Sequence, residues 1–142
     1  VIRGESGTLW ATLFQPRRVV AHGTKIPRFS THADIEERSR ALLAVDAYTV
    51  KEVNDFILEM DVGHVVITSD EGSRAAWFGI VTSDGFASTE EDHWMQRGCD
   101  WFSRSIPLGP AAEAMPRGPM GTIFNVTKHA STIRQAIQGM LA

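Results

Sequence analysis

Hydrophobic positions are densest between Gly63 and Phe102, where they fall into three runs separated by turn residues. Residues 63–69 are β-branched and almost continuously apolar, the pattern of a strand covered on both faces. Residues 75–82 and 93–102 form two further strand-like runs. Asp70 to Ser73, and then Asp84 and Gly85, supply the reversals between the three. The runs predict a meander of three strands. A meander this apolar must close into a small barrel or be covered by helices.

The flanking segments offer those helices. Val1 to Arg3 is strand-like, and residues 4–7 read as a turn. Leu9, Trp10, Leu13 and Phe14 have the spacing of one short helix over 8–14, which Pro16 stops. Residues 19–21 form a short strand and 26–32 a loop. Residues 34–45 predict a helix with Ile35, Leu42, Leu43 and Val45 apolar. Thr49 and Glu52 have the spacing of a capping box, and Val50, Val53, Phe56, Ile57 and Met60 share the buried face of the helix that follows. After Trp101 the chain turns proline- and glycine-rich. Residues 122–127 predict a last strand, and Ser131 caps a last helix that buries Ile133, Ala136, Ile137 and Met140. No internal repeat interrupts this order.

The length of 142 residues allows one domain with a core of its own. The formal net charge of -3 counts against non-specific nucleic-acid binding over the whole surface, though not against a local basic patch. Such a patch has candidates in the first 40 residues, among them Arg3, Arg17, Arg18, Lys25 and Arg28, whereas the stretch from Asp84 to Asp100 is acidic. A single cysteine, Cys99, excludes an internal disulfide and a multi-cysteine zinc site. No apolar run approaches the roughly 20 residues that span a bilayer, and no signal-peptide pattern opens the chain. The expected location is the cytoplasm.

Catalytic constellations are missing from the pattern. There is no Gly-x-Ser-x-Gly elbow and no Gly-rich phosphate loop. Cys99 falls inside a predicted strand and reads as a packed side chain. No acidic residue stands two places before Lys25, Lys51 or Lys128, so a restriction-type nuclease centre is not indicated. The five histidines lack the His-x-x-x-His spacing of a helical metal site. A non-enzymatic chain without metal or cofactor is expected.

Four tryptophans remain to be placed. Trp10 belongs to the apolar face of the first helix and reads as core. Trp77 and Phe78 are neighbours on one strand and must point to opposite faces. Trp94 and Trp101 are an odd number of residues apart and face oppositely too, unless Gly98 marks a bulge. Indoles that cannot all enter one core are candidates for a pocket wall, and flat ligands such as extruded bases stack well on them.

The order of the motifs resembles a family. Val1 to Ser6, a short helix, and then Val19 to Thr24 are similar to the opening of PUA-like domains of the EVE and YTH kind. Asp61 to Ile67, Trp77 to Val81, Asp100 with Trp101, and Thr122 to Phe124 resemble the version attached to modification-dependent restriction enzymes of the McrB and Mrr types. The resemblance implies an α+β fold: a small twisted β-barrel of about five to six strands flanked by helices, spanning residues 1–142. It implies a base-binding pocket at Arg3, Gly4, Ser6, Ala21, His22, Gly23, Thr24, Trp77 and Trp94, with Arg17, Arg18, Lys25 and Arg28 on phosphates.

The expected function is therefore a reader that flips a modified base, such as a methylated one, out of double-stranded DNA and targets a fused or associated nuclease or NTPase. An RNA reader of the YTH kind, and a protein-interaction or small-ligand module on the same barrel, are the alternatives.

Overall fold

The computed structural model describes residues 9–22, 28–29, 35–43, 47–69, 75–89, 93–107 and 130–141. The strands are β1 Val19–His22, β2 Val65–Ser69, β3 Ala75–Val81, β4 Ala87–Ser88 and β5 Met95–Pro107. All pairings are antiparallel, in the order β1-β5-β3-β2, with β4 also on β5. The sheet curls into a half-barrel, and with a few short helices the architecture is α+β. The three strands of the meander stand where the apolar runs predict them. β5 runs five residues further than expected, and β4, whose two residues are exposed, carries no apolar signal that would have announced it. The strands expected at residues 1–3 and 122–127 lie outside the described residues.

Helix α1 is a π-helical turn, Trp10–Phe14, continued by one α-helical turn, Gln15–Arg17. It passes through Pro16 rather than stopping there. Pro16 stands where the π-turn passes into the α-turn. The helix ends instead at Arg18, which takes the left-handed conformation with φ 53°.

Helix α2 is Ile35–Leu42. It buries Leu42, but Leu43 follows in a turn and is exposed. Helix α3, Ala47–Asn54, continues as a π-turn, Asp55–Glu59. It begins two residues before Thr49, so that residue is inside the helix and does not cap it. Alanine at the start is a strong helix former and lets the helix begin early. The expected apolar face is present: Val53, Phe56 and Ile57 are buried, with Val50 and Met60 packed beside them. Helix α4, Ala130–Leu141, starts one residue before Ser131, which is therefore in the first turn. Its Ile133 and Ile137 are half-buried. No helix among the described residues is long and apolar enough to cross a membrane.

Alternation along the strands sorts the core. Val20 and His22 of β1 stand opposite Arg97 and Met95 of β5, on the face that carries α3. Trp77, Gly79 and Val81 share one face of β3. Phe78 points the other way, opposite Ile67 of β2, and both are buried apart from the main cluster. The opposite placement of Trp77 and Phe78 is as the sequence predicts. Residues 95–98 pair with β1 in unbroken register, so Gly98 is not a bulge. The irregularity lies further on, where Trp77 faces Ser105 while Gly79 faces Trp101. Two residues of β3 thus span four of β5.

Candidate functional site

That irregularity borders a hollow among the described residues. Its volume is about 670 Å3, and its lining includes Trp10, Trp77, Trp101, Arg18 and Asp100. Trp10 and Trp77 stack with ring centroids 4.5 Å apart and planes 19° from parallel. Trp101 stands at 89° to Trp10, 4.9 Å away. Its own Nε1–H donates to the Val19 carbonyl at 3.2 Å, which fixes its orientation. Phe14 backs the Trp101 ring in parallel at 6.0 Å. The Trp77 Nε1–H is buried without a hydrogen-bond partner, so one donor in the indole wall is unmet.

Local sequence explains this assembly. Trp10 comes from the buried face of α1. Trp77 and Trp101 come from adjacent strands, and Gly79, opposite Trp101, leaves room for the indole to lie across the sheet. In a regular strand Trp101, Phe102 and Ser103 would alternate between faces. Here all three line the hollow, because the irregular pairing turns the strand as it passes. Arg18 enters from the end of α1. Its left-handed backbone is held by the Cys99 N–H, which donates to the Arg18 carbonyl at 2.9 Å.

The residues expected to bind a base are not all in one place. Trp77 and Arg18 are at the hollow, and Arg17 is exposed beside it in sequence. Trp94 is 2% exposed and does not line the hollow: its ring is packed edge-on against Phe29 and Phe86. Arg28 is exposed, and its guanidinium donates to the Thr89 carbonyl. Ala21 and His22 are buried in β1. Arg3, Gly4, Ser6, Gly23, Thr24 and Lys25 lie outside the described residues. Trp101, Asp100 and Ser103 join the lining although the expected base-binding set does not include them, and Trp10 serves both the core and the wall. No local signal reports these meetings, because Trp10 is 67 residues from Trp77 and 91 from Trp101, and Trp77 is 24 from Trp101.

His22 is buried against Phe56, with its Nε2 3.7 Å from a carboxylate oxygen of Glu52. That is beyond hydrogen-bonding reach, and Nε2 makes no hydrogen bond. Burial, reinforced by nearby His93, depresses the His22 pKa from 6.5 to about 4. The unfolded chain therefore takes up this proton first. The neutral imidazole contributes fully above pH 6.5, and that stability is lost as pH falls from 6.5 towards 4. The loss expected from this group is about 2 kcal/mol at pH 5. Thermal melts between pH 7 and 5 should show it, and His22→Gln should flatten the profile over that window. An unchanged slope in the variant would remove His22 from the account.

Cys99 is 1% exposed, and burial, together with Asp100, pushes its thiol pKa up to about 12. It is a packed side chain, not an activated nucleophile. Among the described residues no group of histidine, cysteine, aspartate and glutamate side chains is arranged to hold a metal ion. No family model, curated protein or solved structure matches the chain.

Proposed function

We propose that this chain is a non-catalytic reader that takes one modified, methylated base of double-stranded DNA into the indole-walled hollow. The observation that carries the reading is the meeting of Trp10, Trp77 and Trp101 around an open space of about 670 Å3, with Arg18 at its side. That volume lies within the roughly 300–1,000 Å3 of small-molecule pockets and is ample for one base. Extruding a base costs a few kcal/mol, and stacking on an aromatic ring returns about 1–3 kcal/mol. Phosphate contacts from Arg17 and Arg18 supply the rest. A methyl group adds apolar burial of roughly 0.8 kcal/mol and gives discrimination without chemistry.

The curled sheet with its short helices is compatible with a small PUA-like barrel of the EVE and YTH kind, which the order of the sequence motifs resembles. On this reading the chain works in the cytoplasm and directs a fused or associated restriction nuclease or NTPase to modified DNA.

Trp77→Ala removes one wall of the hollow from a half-buried position. Its affinity for a duplex carrying one methylated base should fall about tenfold, while thermal unfolding stays cooperative. Equal affinity of the wild-type protein for methylated and unmethylated duplexes contradicts the reader function.

The acidic balance of the chain favours a second reading, a small-ligand module with no phosphate contacts. Salt separates the two. Binding through phosphates weakens steeply as salt rises, and binding of a neutral small molecule does not.

A further inference from the structure

The three indoles of the hollow form a corner and not a slot. Trp10 and Trp77 are nearly parallel, but their centroids are only 4.5 Å apart. A ring held between two parallel rings needs them roughly 7 Å apart, twice the contact distance of carbon atoms. Trp101 stands at 89° to Trp10, so it is close to perpendicular to Trp77 as well. A flat base in this corner stacks on one indole face and meets the other wall with its edge. Its second face looks into the rest of the hollow.

That remainder is large. A methylated pyrimidine has about nine non-hydrogen atoms and fills at most roughly 270 Å3, even at the ~30 Å3 that each water takes in the liquid. The hollow measures about 670 Å3, so more than half of it stays unfilled. By the same measure a pyrimidine carrying one hexose, with about 21 such atoms, fills roughly 600 Å3. Away from the indoles, Gln15, Arg18 and Ser103 border the space, and all three are exposed. Hydroxyl groups both donate and accept, so they pair with backbone and side-chain groups of either kind. The C–H face of a sugar ring also lies well against the negative face of an indole.

Resting on the reader function above, we infer that the preferred guest is a base whose substituent is hydroxylated and larger than a methyl group, up to one sugar ring. The base stacks in the indole corner, and the substituent occupies the remaining space. A methylated base enters the same corner and binds less tightly.

The test uses oligonucleotide duplexes of one sequence, read by fluorescence anisotropy. One is unmodified, and the others each carry a single methylcytosine, hydroxymethylcytosine, glucosylated hydroxymethylcytosine or methyladenine. Affinity should rise along the three modified cytosines in that order, with the glucosylated base about tenfold tighter than the methylated one. Ala11→Phe puts a ring into the hollow from an exposed position on α1, so it should bring that ratio close to one. Methylcytosine bound as tightly as the glucosylated base, with both above the unmodified duplex, would overturn the inference and leave the reader function standing. A preference for methyladenine alone would do the same. A glucosylated advantage that survives Ala11→Phe would overturn the placing of the substituent in the hollow. Equal affinity for all five duplexes, or binding of none, would overturn the inference and the reader function together.

Discussion

Arg97→Met is expected to lower stability by about 2–4 kcal/mol, the largest effect of any single substitution considered. Arg97 is 1% exposed near the start of β5. Its guanidinium donates to the Phe56 carbonyl at 2.9 Å, to the Met60 carbonyl, and to the Ser83 carbonyl at 2.8 Å. These acceptors lie at the π-turned end of α3 and in the bend after β3, so one side chain ties a helix terminus to the sheet. The last carbonyls of a helix have no partner within it and need an outside donor. Burial lowers the Arg97 pKa, while Asp84 and Asp61 oppose the shift. The group remains charged under any condition in which the protein folds.

Methionine keeps the apolar stem and removes every donor, leaving three acceptors unmet. Its gain is relief from burying a charge and a guanidinium Nε that has no partner. That gain keeps the loss below the sum of three bonds. Thermal or denaturant unfolding measures it. Arg97→Lys should recover only part of the loss, because an ammonium does not reproduce the fork of a guanidinium. A methionine variant as stable as the parent would show that the clamp contributes nothing.

The second large effect is expected at Gly79. A Cβ built there would sit 2.4 Å from the Cys99 sulfur and 2.7 Å from Cε3 of Trp101. Neither neighbour can retreat freely. Cys99 is buried, and Trp101 is held by its bond to Val19 and by Trp10. Gly79→Ala should therefore cost about 1–3 kcal/mol. It should also displace the Trp101 indole and abolish oligonucleotide binding, with a changed near-ultraviolet dichroism of the tryptophans. Gly98→Ala is the control. Its new Cβ would meet the Thr82 hydroxyl at 2.6 Å, but Thr82 is exposed and its side chain can turn away. If both variants melt together and bind alike, the seat of Trp101 over Gly79 is not what forms the hollow.

Sequence patterns carried the sheet further than the site. Runs of β-branched and aromatic residues located β2, β3 and most of β5, because such residues have few other places to pack. The shared face of Val53, Phe56 and Ile57 located α3 for the same reason. Boundaries were less legible. Thr49 has the right spacing for a cap, yet the helix starts at Ala47, since helix-forming residues upstream outweigh one favourable hydroxyl. Pro16 marks the first turn of an α-segment rather than its end, a distinction that depends on the π-turn before it.

The site was half legible. Opposed faces for Trp77 and Phe78 follow from the period of a strand, and they left Trp77 free to form a wall. The partners of that wall are set by pairing register. Trp101 reaches Trp10 and Trp77 through the irregular stretch between Trp101 and Ser105, and Phe102, Ser103 and Arg104 hold no glycine or proline to announce it. Trp94 illustrates the converse. Its strand period is compatible with a pocket, but the rings of Phe29 and Phe86 close around it.

The most direct test follows the four indole N–H signals by nuclear magnetic resonance while a duplex with one methylated base is added. The signals of Trp10, Trp77 and Trp101 should shift together and saturate together, while that of Trp94, enclosed among phenylalanines, should stay still. Movement of Trp94 alone, or no movement in the three that wall the hollow, would contradict the assignment of this space to a base.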